Sequence, residues 1–322
     1  VLGATGTAGR AVTRALLRAG HEVVCVVRAA GAIPDSDAFD TADKRVEQRI
    51  GDVRDAQSLR RDVFRGERFD VLVSCLASRS GVPSDAWAID HDANVLALAA
   101  AKRAGVQHLV LLSAICVQRP LLAFQHAKLA FERQLIDSGL RWSIVRPTAF
   151  FKSLCGQVER VRRGKPFLVF GDGRQTACKP ISDADLGDYI AGCLTEPDRF
   201  DRILPIGGPG EAITPREQGE RLFELTGGAP RFRQVPVAMF DGVRAVLGPL
   251  GRFSPACAVK AELARIGRYY ATESMLVLDP LTGRYDAAAT PSTGTETLFD
   301  FYRQLLDGTA SIARGQHTIF RD

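Results

Sequence analysis

The stretch Gly3-Ala4-Thr5-Gly6-Thr7-Ala8-Gly9 is preceded by apolar Val1-Leu2 and followed by a helical pattern, Arg10 to Ala19, and by the β-branched run Val23-Val24-Cys25-Val26-Val27. The glycines therefore stand where a strand hands over to a helix. At the spacing GxxGxxG, glycine permits a tight turn and lets a pyrophosphate approach the helix N-terminus, where backbone N–H groups and the helix dipole favour negative charge. A glycine triplet alone is a weak signal; the order strand, glycine loop, helix, strand makes it a dinucleotide site. Only Val1 and Leu2 precede the loop, where a strand usually has about 5 residues. The expectation is a chain lacking its first residues, with any targeting segment in the missing piece.

The same alternation continues to about residue 150. Val71 to Cys75, Leu109 to Ser113 and Trp142 to Val145 read, with Val23 to Val27, as buried parallel strands. Arg10 to Ala19, Ala93 to Ala104 and Phe124 to Ile136 read as the helices between them. This rhythm predicts an α/β fold, a Rossmann-type doubly wound parallel sheet with right-handed crossovers. Beyond it, turn clusters at Gly171 to Gly173 and Gly207 to Gly210 and prolines at 249 and 291 break the pattern. The expected organisation is an NADP-binding Rossmann domain over 1–150 and a smaller C-terminal substrate-binding part over 151–322, interleaved with the Rossmann core.

Composition narrows the function. Of 322 residues, 46% are hydrophobic and 25% charged, and no apolar run approaches the roughly 20 residues that span a bilayer, so no integral membrane segment is expected. The net charge of +5 is spread among interleaved acids and bases rather than gathered in a basic tract, which argues against nucleic acid as a partner and suits an anionic small molecule. Seven cysteines without a CxxC pair, and five histidines without ligand spacing, point to a reducing compartment and no protein-bound metal.

Cofactor choice is read about 20 residues past the loop, where an NAD site usually holds an acid against the ribose 2′-hydroxyl. Here stand Val26-Val27-Arg28. A guanidinium pairs bidentately with a 2′-phosphate, so Arg28 indicates NADPH. Arg10 reads equally as a second phosphate contact or a solvated helix residue, and Asp52 as an adenine contact or a loop-capping aspartate.

Ser113 ends the strand pattern HLVLLS, and Lys128 closes FQHAK on the following helix. This arrangement resembles the short-chain dehydrogenase/reductase superfamily, which places Ser there and then Tyr-x-x-x-Lys; the tyrosine position is Phe124. Carbonyl reduction needs an acid beside the oxygen, and a phenyl ring has none to give. Adding hydride to an activated C=C bond has a different demand, because charge spreads into the conjugated system and the proton can arrive from elsewhere. Lys128, His126, Cys116 and water are the candidate donors. Lys128 lies one helical turn after Phe124, placed to bond the nicotinamide ribose and stabilise negative charge.

Over nearly its whole length the chain resembles the NADPH-dependent divinyl chlorophyllide a 8-vinyl-reductases, atypical (extended) members of that superfamily. The similarity is carried by LLSAICVQRPLLAFQHAKLAFE from 111, IVRPTAFFKSL from 144, VFGDGRQTACKPISDADL from 169 and RIGRYYATESMLVLDPLTGRYDAAATPSTGTETLFDFY from 265. The resemblance implies reduction of the 8-vinyl group of a divinyl (proto)chlorophyllide to ethyl, in chlorophyll or bacteriochlorophyll synthesis. The pigment, a tetrapyrrole carrying its own magnesium, is the implied small-molecule partner. Implied catalytic residues are Lys128 and Ser113, and implied cofactor contacts are Gly3, Thr5, Gly6, Gly9, Arg10, Arg28, Asp52, Ala77, Lys128 and Pro147. A large flat anionic substrate suits an apolar cleft with a few basic groups. Candidates for it are Phe124, Phe150, Phe151, Phe170 and Tyr270, with Lys152, Lys179 or Arg146 toward a propionate; each aromatic reads also as core. The YYATESMLVLDP run, with Tyr269, Tyr270 and Met275, reads as a lid or as packing.

The competing readings are another NADP-dependent reductase of isoflavone-reductase type, and a non-catalytic NADP(H)-sensing regulator. Arginine-rich composition suggests a phototrophic bacterium and its cytoplasm, or the plastid in a eukaryote, with peripheral membrane contact and oligomeric state left open. Replacing Arg28 by Asp tests the phosphate reading: NADPH affinity should fall far more than NADH affinity, by about tenfold or more for the loss of one charged hydrogen-bonding partner. Equal losses for both cofactors would contradict it.

Overall fold

The computed structural model describes residues 1–28 and 45–311. Its strands in chain order are β1 (Val23–Val27), β2 (Val46–Ile50), β3 (Val71–Ser74), β4 (His108–Leu112), β5 (Arg141–Pro147), β6 (Phe167–Phe170), β7 (Arg202–Ile206) and β8 (Phe232–Val235), followed by the short hairpin β9 (Val277–Leu278) and β10 (Tyr285–Asp286). The longer helices are α1 (Thr7–Arg18), α2 (Ala93–Arg103), α3 (Ala123–Ile136), α4 (Asp183–Gly192), α5 (Pro215–Leu225), α6 (Ala238–Leu250), α7 (Pro255–Thr272) and α8 (Leu298–Leu306). The chain divides into two compact units, the first comprising Val1–Ser78, Pro83–Pro147 and Asp183–Leu204.

In the first unit β1 pairs in parallel with β2, and β3, β4, β5 and β7 follow one another in that order. Val1 and Leu2 join the two sets. Val26 N–H donates to the Val1 carbonyl (3.0 Å), Leu2 N–H to Val73 (2.9 Å), and Cys75 N–H to Leu2 (3.0 Å). The chain thus starts between β1 and β3, the point where strand order reverses in a doubly wound sheet and where nucleotides bind. The apolar character of each strand follows its place. All five residues of β4 are buried, whereas β2, with the sequence VEQRI, lies beyond β1 and keeps only Arg49 fully buried.

The helices pack on this sheet through small side chains. Ala93, Ala97, Ala100 and Ala101 of α2 are buried in a core with Leu72, Leu109, Leu111, Phe131, Leu135 and Ile144. Helix α1 begins at Thr7, three residues earlier than the pattern suggested, because Gly6 already serves as its N-cap. Helix α4, from the second half of the sequence, lies against α1, and a Cβ on Gly187 would sit 2.7 Å from the Ala11 carbonyl oxygen. The segment 183–204 therefore belongs to the nucleotide-type unit although it follows a stretch that does not.

The second unit gathers 79–82, 148–182 and the described residues from Pro205 onward. It contains the parallel pair β6 and β8 and a core of Phe151, Val158, Val161, Phe167, Val169, Leu222, Phe223, Leu298 and Tyr302. Thr214 caps α5 by a reciprocal pair of bonds: Glu217 N–H donates to its hydroxyl (3.3 Å), and its own N–H donates to the Glu217 carboxylate (2.7 Å). Among the described residues no helix is long and apolar enough to cross a membrane.

His108 at the start of β4 is buried, with Nε2 3.0 Å from the Ser143 hydroxyl and its ring edge-on to Phe200. Burial, with repulsion from Arg141, pushes the imidazole down to about 4, against an opposing attraction to Asp201. The folded state thus keeps His108 neutral while the unfolded chain binds a proton below about pH 6.5. Stability should fall as pH drops from about 6.5 to about 4 and level off below, with up to about 3 kcal/mol at stake from this residue. Urea midpoints at pH 7.5 and 4.5 should differ less in His108→Gln than in the parent, and an equal acid loss in both would remove His108 from the account.

Candidate functional site

The glycine loop is fixed by backbone contact. Gly3 has φ +73°, and a Cβ there would lie 2.6 Å from the Cys75 carbonyl oxygen; a Cβ on Gly9 would lie 2.1 Å from the Gly3 carbonyl oxygen. These two glycines let the loop, the end of β3 and the first turn of α1 touch without side chains between them. Gly6 differs. It is exposed, it caps α1 without any side-chain bond, and a Cβ there would meet only the Gly3 carbonyl, at 3.3 Å. The space above Gly6 is open where α1 presents its N-terminus, so the cradle fits a pyrophosphate. Thr5 is half-buried beside it, and the Arg10 guanidinium donates back to the Thr5 carbonyl (3.3 Å), bracing the loop from the helix.

The groups expected around the adenosine end fare differently. Arg28, at the end of β1, is exposed. Asp52 closes its own turn: it accepts from the Arg54 N–H (2.9 Å) and from the Arg54 guanidinium (3.1 and 3.0 Å). Arg54 chiefly, with Arg28 adding attraction, holds the Asp52 carboxyl below the usual carboxylate range. Loop capping, rather than a free edge for adenine, is what this carboxylate does here. Ala77 is exposed just past β3, and Pro147 is buried at the end of β5.

Helix α3 gathers several buried charged groups. Lys128 is buried and its Nζ lies 3.0 Å from Asp90 Oδ1. Asp90 sits in a wide helical turn, Trp87–Asp92, that runs directly into α2. One turn beyond Lys128 on the same face, Glu132 is buried and ion-paired with Arg146 of β5, and the Ser113 hydroxyl donates to Glu132 (2.5 Å). Ser113 therefore spends its single proton inside the protein, and what it offers outward is a lone pair. Arg146 likewise is committed to Glu132 and is not a free cation for a substrate carboxylate.

Phe124 is half-buried one turn before Lys128. His126 is exposed and lies about 200° around the helix from Lys128, on the other face. Cys116 is buried and its carbonyl accepts from the Gln125 side chain (3.0 Å). Burial pushes the Cys75 thiol up to about 12, so it stays protonated. Of the groups considered for charge or proton supply, Lys128 has the geometry.

In the second unit, Phe151 is a core side chain rather than a pocket wall, stacked at 5.7 Å on Phe301. Phe170 packs 4.9 Å from Phe240. Lys179 is buried, and its ammonium donates to the Thr290 carbonyl (2.9 Å) and the Ser292 hydroxyl (3.3 Å), holding that segment instead of reaching for a substrate. Phe150 is half-buried, and Tyr270 is 41% exposed with its ring edge-on to buried Tyr269. Phe150 and Tyr270 keep free surface; Phe151 and Lys179 do not. Asp90 and Glu132 were not identified from sequence. The residue that could have pointed to Asp90 is Lys128, because an ammonium that folds into the interior requires a carboxylate.

Residues 3–197 match the NAD(P)H-binding family. The chain is 49% identical over 331 residues to the chloroplastic divinyl chlorophyllide a 8-vinyl-reductase of Oryza sativa subsp. indica, spanning 99% of this chain and 81% of that protein. The corresponding Arabidopsis thaliana protein is 46% identical over 327 residues, spanning 98% and 78%. Among solved structures, the Escherichia coli NADPH-dependent quinone oxidoreductase QOR2 complexed with NADPH aligns with a TM-score of 0.68 at 18% identity, covering 95% of this chain and 98% of that one. At that identity the likeness is one of fold.

Proposed function

Because the chain belongs to the divinyl chlorophyllide a 8-vinyl-reductase family, we propose a residue-level account of how it reduces the 8-vinyl group of divinyl (proto)chlorophyllide a to ethyl with NADPH. The observation that carries the account is the pairing on α3 of a buried ammonium, Lys128, with a phenyl ring, Phe124, where carbonyl reductases of this fold place a phenol. NADPH, when bound, supplies the hydride.

The glycine loop holds the pyrophosphate through backbone N–H groups, and Arg28 recognises the 2′-phosphate, with Arg10 bracing the loop. Ala77 and Pro147 border the cofactor. Lys128 bonds the nicotinamide ribose and places one positive charge where negative charge develops on the macrocycle, which a low-dielectric setting makes more effective than in water. It also holds the proton that completes the ethyl group and recovers it from solvent after each turnover. Ser113, through Glu132 and Arg146, keeps α3 against β4 and β5 so that Lys128 stays in register. Phe124 offers the pigment an apolar surface without a competing acid. The second unit binds the tetrapyrrole, Phe150 and Tyr270 being its exposed contacts; the magnesium enters as part of the substrate. The work is placed in the plastid of a eukaryote or the cytoplasm of a phototrophic bacterium.

The test is an anaerobic assay of the purified protein with divinyl chlorophyllide a, following the Soret blue shift and the chromatographic appearance of the monovinyl product. Turnover should require NADPH and be much slower with NADH. Lys128→Ala should lower kcat by about 100-fold or more, while Phe124→Tyr stays within about threefold, because no step uses a phenol. NADPH binding without product would move the substrate elsewhere or leave a cofactor sensor; wild-type turnover in Lys128→Ala would remove that residue from the chemistry.

A further inference from the structure

Lys128 and Asp90 are unequally placed in their pair. The lysine side chain keeps 10% of its surface exposed and the aspartate only 1%, so the carboxylate stands behind and the ammonium in front. Asp90 Oδ1 faces the Lys128 ammonium and takes a long bond from the Ser78 N–H (3.4 Å), while Oδ2 is buried with no hydrogen-bond partner among the described residues. Among the described residues Asp90 is the ion-pair partner of Lys128, at 3.0 Å. A buried carboxylate with one orphaned oxygen is costly unless an opposite charge offsets it, and a buried ammonium alone is equally costly, so each makes the other tenable.

The other ionisable groups facing Lys128 do not take over that role. Glu132, one turn along α3, is engaged by Arg146 and by the Ser113 hydroxyl. The Cys75 thiol is held neutral by burial. The wide turn Trp87–Asp92 has a structural purpose in this light: it lets Asp90 lean toward α3 while Asn94, four residues on, bonds the Ser74 hydroxyl of β3 (2.6 Å) and the Asp90 carbonyl (3.2 Å). Wide turns of this kind inside helices recur at functional sites.

We propose that Asp90 is a positioning residue for the reduction: from behind Lys128 it fixes where the ammonium sits while it works at the cofactor ribose and the pigment. This rests on the reading of Lys128 given above. Asp90 touches neither substrate nor cofactor and acts only through the lysine.

The experiment compares Asp90→Asn and Asp90→Glu with the parent, each checked for NADPH binding by fluorescence, and repeats Asp90→Asn in a Lys128→Ala background. Asp90→Asn should lower kcat by about 100-fold with the pigment KM within about threefold, because the ammonium loses the partner that fixes its position. Asp90→Glu, which keeps the carboxylate, should recover most of that loss in kcat. In the Lys128→Ala background, Asp90→Asn should cost less than about threefold more, as expected of residues acting through one contact. An unchanged kcat in Asp90→Asn, no recovery in Asp90→Glu, or a full additional loss in the double variant would overturn the proposal. If Asp90→Asn does not fold, Lys128→Met with Asp90→Asn is compared with Lys128→Met alone: equal turnover supports the proposal and a further loss overturns it. Wild-type turnover in Lys128→Ala would instead refute the role of Lys128 itself, a separate outcome.

Discussion

Two opposite charges buried one turn apart on a single helix constrain everything around them. Lys128 and Glu132 of α3 cannot be left alone inside the first unit, because removing the partner of a buried ion costs about 3–5 kcal/mol. Each is met from a different element, Lys128 by Asp90 in the turn that leads into α2, and Glu132 by Arg146 of β5. The two pairs hold α3 to the helix before it and the sheet beneath it. Such pairs add little net stability compared with apolar packing, but they define one geometry, and a catalytic ammonium needs one geometry.

The glycine loop imposes the second constraint, of space rather than charge. Gly3 and Gly9 are where backbone meets backbone, so the loop cannot shift without parting β3 from α1. Gly6 is where nothing meets it, and that opening lies at a helix N-terminus. A site closed on two sides and open on the third can bind an anion through backbone N–H groups without needing side chains, while Arg10 braces the loop by donating to the Thr5 carbonyl. The chemistry then follows from what α3 carries. A reductase that adds hydride to a conjugated vinyl group needs a placed positive charge and a proton at one carbon, and it does not need a phenol beside an oxygen.

The strands and helices of the first unit were legible because buried parallel strands are continuous apolar runs and their covering helices carry a strong 3.6-residue period. Val23–Val27 has the limits its sequence suggests, and β5 extends only from Trp142–Val145 to Arg141–Pro147. Ser113 and Lys128 stood out through the resemblance to the superfamily's Ser and Tyr-x-x-x-Lys pattern. Their partners did not, since Asp90 and Glu132 acquire meaning only when tertiary packing brings charges together. The same reason explains Arg146 and Lys179, which read as free cations in sequence and are bonded inside the fold. Asp52 and Phe151 show the complementary point: a loop aspartate and an aromatic next to a functional motif have ordinary local uses, and here turn closure and core packing take them. Interleaving of the C-terminal part was expected, but which segment returns to the first unit was hidden, because the helix of 183–204 is short and its contact with α1 depends on Gly187, a residue that signals close approach only when its neighbour is known.

The proposed chemistry puts a hydride from the cofactor on one vinyl carbon and a solvent-derived proton on the other. The measurement that reaches it most directly is a single turnover on divinyl chlorophyllide a, run once with NADPH deuterated on both C4 hydrogens in H2O and once with ordinary NADPH in D2O, followed by mass spectrometry and NMR of the new ethyl group. The account predicts one deuterium from the cofactor in the first run and one from solvent in the second, on different carbons. No deuterium from the cofactor, or both hydrogens from solvent, would contradict it.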